Sequence, residues 1–141
     1  MVVHGVIGMS AGICGCAVFA SKYGNTNAAV WAGISAFVAL LYVQASRSVY
    51  RDVNRVISPQ CFLVYIFIAG IFVLAGSVVM ITYLCIGLVH KEDLSPTGSY
   101  VVIVWGFMIF KWALFVLFSS RKFHKQYCEM EGNEPVVAIN D

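Results

Sequence analysis

The sequence predicts an all-α polytopic membrane protein, a four-transmembrane-helix bundle with both termini in the cytoplasm. Three observations predict it. Hydrophobic residues make up 60% of the 141-residue chain and charged residues only 11%, where soluble domains carry about a quarter charged. The apolar residues gather into four runs of about twenty, each long enough to cross roughly 30 Å of hydrocarbon as a helix. Six basic residues fall on one side of such a bundle, two on the other, and Lys111 inside a span. The positive-inside rule assigns the side with six to the cytoplasm.

The first run, Val2–Ala20, ends in Val18-Phe19-Ala20-Ser21, which superficially resembles a signal-peptide cleavage site. No Lys or Arg precedes Lys22, so the basic region of a signal peptide is missing and the run is expected to stay as a helix. Its segment Gly8-Met9-Ser10-Ala11-Gly12 is a small-residue helix-packing pattern. A link at 21–26 leads to the second span, about Asn27–Ser46, whose Ala28, Ala32 and Ala36 make another small-residue face. Arg47, Arg51 and Arg55 follow in a short basic link. The third span, about Cys61–Val89, is longer than a bilayer needs and should tilt or project. An outer link, 90–98, leads to the fourth span, Ser99–Ser119.

Residues 1–120 are thus read as the transmembrane domain and 121–141 as a cytoplasmic tail. Beyond 129 the tail turns acidic and carries Gly132 and Pro135, a composition expected to be disordered. Tyr127-Cys128-Glu129-Met130 also fits a generic sorting pattern. Cys14, Cys16, Cys61 and Cys85 lie in or beside spans and Cys128 in a reducing compartment, so they read as packing or palmitoylation residues.

Several function classes are excluded. The chain has no Walker A loop, no HExxH and no Ser-His-Asp set, and all seven acidic residues lie outside the spans. A proton-coupled pump usually needs an intramembrane carboxylate. An enzyme is therefore not expected, nor is a nucleic-acid partner; a carrier, a channel or a packing subunit in the lipid bilayer remains.

In a membrane the polar exceptions carry the information. Lys111 falls near mid-span, where an ammonium costs about 2.5–3.5 kcal/mol. It either snorkels toward the headgroups or faces the bundle interior to meet an anionic group. Trp105, Met108 and Trp112 share one helix face, as packing bulk or as a flat wall for a planar ligand. Tyr42 is an interfacial anchor or a buried phenol needing a partner. His4, His90 and His124 all lie near span ends. The run Arg121-Lys122-Phe123-His124-Lys125 is either a positive-inside anchor on anionic lipid or a cation cluster for carboxylates.

The run His90-Lys91-Glu92-Asp93-Leu94-Ser95-Pro96-Thr97-Gly98-Ser99-Tyr100 carries a resemblance, together with Val104-Trp105-Gly106-Phe107 and Phe110-Lys111-Trp112-Ala113. It resembles the HRG (heme-responsive gene) family of haem transporters, nearest to the nematode importers. That family has four spans and cytoplasmic termini. The resemblance implies a capturing histidine at His90 and a haem-ligating residue of the second helix at Tyr42, both as ligands of the haem iron. It also implies an aromatic-basic motif after the last helix, matched at Arg121, Lys122 and Phe123, with Ser119 where the family has phenylalanine. Haem, the substrate so implied, presents a flat ring, two propionates and axial iron positions; imidazole and phenolate ligate such iron, and Arg and Lys suit carboxylates. Trp105, Trp112 and Lys111 would match ring and acids, with release near Arg121, Lys122 and His124. The expected membrane is the plasma membrane, or else an endosomal or lysosomal one. A non-transporting scaffold or accessory subunit stays as the alternative, and a homo-oligomer is left open.

Overall fold

A computed structural model describes the backbone of residues 2–50, 59–92 and 95–132, and the side chains of 2–47, 63–92 and 95–125. Arg51 and Arg55, the side chains of Cys61 and of 127–130, and the tail from 133 onward lie outside the described residues. Among the described residues four helices follow one another: α1 (Val2–Ser21), α2 (Thr26–Tyr50), α3 (Pro59–His90) and α4 (Ser99–Gly132). No strand occurs among the described residues. Their apolar segments run 20, 22, 28 and 27 residues. At about 1.5 Å per residue, even the shortest reaches roughly 30 Å. Hydrocarbon offers no water to backbone N–H and C=O groups, and a helix satisfies them internally.

Polar residues in the two short links make the helix ends. Asn25 caps α2, its side-chain oxygen accepting the Ala28 N–H at 3.0 Å. Gly24 supplies the left-handed turn before it, at φ 60°. The end of α3 is a Schellman motif: the Glu92 N–H donates to the Gly87 carbonyl at 3.1 Å and the Lys91 N–H to the Leu88 carbonyl at 3.4 Å. Lys91 takes the left-handed position, φ 48°, that glycine usually fills, at a cost of about 1–2 kcal/mol. Glu92 then caps α4. Its carboxylate accepts the Ser99 N–H at 2.6 Å and the Ser99 hydroxyl at 3.1 Å. Those two bonds, with the charge of His90, outweigh desolvation and hold the Glu92 pKa below the ordinary glutamate range.

The Asn25 side-chain amide donates to the Pro96 carbonyl at 3.4 Å, so both links lie at one end of the bundle, the link end. The helices α2 and α4 start there and run side by side toward the far end. They form the centre; α1 packs on α2, and α3 packs on α4. Val38, Ala39 and Tyr42 of α2 meet Ile109, Trp112, Ala113 and Val116 of α4 in the main core, joined by Ala69 of α3. Backbones of α3 and α4 approach closely at Gly76, where a Cβ would lie 3.0 Å from the Gly106 carbonyl oxygen. Elsewhere α3 turns Phe67, Leu74, Val78 and Ile81 outward, the pattern of a helix facing lipid.

One expected boundary needs correction. The fourth helix does not stop at Ser119 but continues to Gly132. Residues 120–131 contain no Gly or Pro and are rich in helix formers, so nothing ends the helix sooner. Arg121, Lys122, Phe123 and His124 therefore sit on helical backbone, not in an irregular tail.

Candidate functional site

Midway along the bundle, three rings close on one another. Tyr42 from α2 lies 5.8 Å from Trp112 and 5.7 Å from Phe115, centroid to centroid, and Trp112 lies 5.8 Å from Phe115. The spacing i, i+3 puts Trp112 and Phe115 on one face of α4, the face turned to α2. Tyr42 is 6% exposed and Trp112 2%, while Phe115, at 38%, forms the open edge of the cluster. The Lys111 ammonium reaches back over it, 4.8 Å from the Trp112 ring centroid and 6.0 Å from that of Phe115. A cation over an indole gains about 0.5–2 kcal/mol, more as water is excluded, and Lys111 is half-buried. That offsets part of the insertion cost of about 2.5–3.5 kcal/mol for a lysine near the middle of a span. The ring faces supply the contacts recorded for the cation.

Trp105 and Trp112 do share a face, as their spacing predicts, and α1 covers it. A Cβ added at Gly8 would run into the Trp112 indole, and one at Gly15 into the Trp105 indole. Both pairs are seven residues apart, so antiparallel helices match glycine to indole twice. Gly5 extends the fit: its Cβ would lie 2.9 Å from Cδ1 of Tyr42. Trp105 belongs to a separate cluster nearer the link end, edge-on to Phe19 at 6.2 Å. Its indole Nε1 is buried without an acceptor.

The remaining expected site residues lie at the two ends. His90 is the last residue of α3 and is exposed at the link end. Tyr42 lies roughly 24 Å along α2 from the same end, at about 1.5 Å per residue. The two expected iron ligands therefore stand at different depths and cannot hold one iron together. Arg121 and Lys122 are exposed toward the far end, with Phe123 and His124 half-buried beside them. Between this group and the aromatic cluster, the buried hydroxyls of Ser46 and Ser120 have no hydrogen-bond partner. Cys14 and Cys85 are free and exposed, and Cys16 is free and half-buried.

Sequence reasoning missed Phe115, although its i+4 spacing from Lys111 was a usable signal. Gly5 and Gly15 were also missed, because only the Gly8–Gly12 pair formed a recognisable packing pattern. No family model matches the chain, and no solved structure matches it.

Proposed function

We propose that the chain transports haem across its membrane, from the side of the two short links to the side of the basic helix ends. The observation that carries the reading is the Lys111 ammonium over the Trp112 ring, which in turn packs on Tyr42, within the apolar spans. A cation, π faces and a phenol together suit a planar dianion with a central iron. The resemblance of the α3–α4 link and fourth helix to the HRG family supports the same reading. His90 would meet haem first, Tyr42 and Lys111 would hold it within the bilayer, and Arg121, Lys122 and His124 would draw off its propionates in the cytosol. Loading at the Lys111 level requires α1 to withdraw from the two indoles. The proposed location is the plasma membrane, or an endolysosomal membrane with the links facing the lumen.

The scaffold alternative would pack partners on the small-residue faces. Those faces are occupied within the chain, since Ala28 and Ala32 are fully buried and Gly12 lies against Ala36.

Titration of the purified protein with haem tests the reading. The Soret band of wild type should shift at equimolar haem. Tyr42→Phe should alter the band, and Lys111→Met should weaken binding about tenfold, the value of one charge-assisted contact. A wild type that leaves the haem spectrum unchanged removes the reading.

A further inference from the structure

The link end carries two adjoining hollows that neither His90 nor Lys111 lines. One, of about 430 Å³, is walled by Phe19, Tyr23, Tyr100, Val101 and Val104. The other, of about 460 Å³, is walled by Tyr23, Asn25, Thr26, Asn27 and Thr97. Tyr23 belongs to both, so an aromatic, aliphatic compartment opens directly beside one lined with amides and hydroxyls. Both are shallow and open to the outside, so a ligand would lie across them and keep one face uncovered.

The frame around them is well fixed. Phe19 and Tyr23 stand 5.8 Å apart at 37°. Tyr100 lies against α3, where a Cβ on Gly87 would come within 3.0 Å of its ring. Glu92 pins Ser99, the residue before Tyr100, and the Asn25–Pro96 hydrogen bond ties the walls together. The Lys22 ammonium sits at the rim, 5.7 Å from the Tyr23 ring centroid.

We infer that these paired hollows form a docking site for a flat macrocycle with carboxylates along one edge. The ring body enters among Phe19, Tyr23 and Tyr100. The carboxylates reach the side-chain amides of Asn25 and Asn27 and the charge of Lys22. The inference rests on the haem reading and adds to it an outer-side contact, separate from His90, where the ring, and not the iron, is gripped. A site of this kind accepts a porphyrin without metal.

The full-length protein in detergent micelles is titrated with haemin and with metal-free protoporphyrin, following quenching of tryptophan fluorescence. Wild type should bind both. Tyr23→Ala should weaken both about fivefold, in line with the loss of one aromatic contact, while Tyr23→Phe keeps wild-type affinity; far-UV circular dichroism confirms that each variant remains helical. His90→Ala should leave the metal-free ligand unaffected. If Tyr23→Ala binds both ligands as wild type does, the hollows are not the site, although haem transport stands. Binding of haemin alone by wild type means that iron ligation holds the ligand, and the inference falls by itself. Binding of neither overturns the inference and the transport reading together.

Discussion

Pairing Lys111 with Trp112 makes a measurable prediction about how an apolar span tolerates a cation. The ammonium stands 4.8 Å from the centroid of an indole that is 2% exposed. Burial of the ring, with the cation itself half-buried, sets the upper bound of the interaction at about 2 kcal/mol. The perturbation is a double-mutant cycle with Lys111→Met, Trp112→Leu and the double variant, each unfolded by SDS titration in mixed micelles and followed by circular dichroism. Trp112→Leu should cost roughly 3 kcal/mol or more in lost packing, since Gly8 and Tyr42 also rest on the ring. With lysine present it should cost about 0.5–2 kcal/mol beyond its cost with methionine, and that excess is the coupling. The cycle cancels whatever each residue does alone, including the packing loss. A coupling below about 0.5 kcal/mol would show that the ammonium is solvated elsewhere, and the account of its stability would be wrong.

Two further outcomes follow from the packing and the caps. Gly8→Ala should lower stability by about 1–2 kcal/mol, because overpacking against Trp112 exceeds the helix-propensity gain. Gly70→Ala, where an added Cβ meets nothing within 4 Å, should raise it by about 0.5–1 kcal/mol; equal stabilities in the same SDS titration would contradict the Gly8–Trp112 fit. The Glu92 cap has a pKa lowered chiefly by the Ser99 backbone and hydroxyl bonds. Its contribution is therefore fully present above the ordinary glutamate range and is lost as pH falls through the lowered value. Hydrogen-exchange protection of the Ser99 amide, corrected for intrinsic rates, should stay level down to about pH 5 and decline only in stronger acid. A decline already complete near pH 6 would assign the effect to a histidine instead.

The spans were legible because crossing hydrocarbon demands a length of apolar residues that few other roles require. Lys111 was legible as an exception, but its environment was not. Adjacent residues on a helix point in different directions, and only a long lysine stem folding back brings the ammonium onto Trp112. Trp105 and Trp112 were correctly placed on one face. Their partners were hidden because a glycine signals nothing about which ring fills its space. The continuation of α4 was legible in part: Gly132 with Pro135 is an ordinary helix stop, but the shift from apolar to basic residues at Arg121 looked like a boundary. That shift marks where apolar surroundings end, and a helix need not end with them. The Glu92 cap was invisible because it joins residues seven apart across a turn.

The Asn25–Pro96 hydrogen bond makes two helical hairpins, α1–α2 and α3–α4, into levers sharing a pivot at their tips. Rotation of one against the other then displaces the tips least and the opposite ends most. Any widening of the α2–α4 seam would start where the Ser46 and Ser120 hydroxyls lack partners and water could reach them. Against such a rotation stands the α2–α4 core from Val38 to Val116, so the linked tips alone do not set the spacing of the far end.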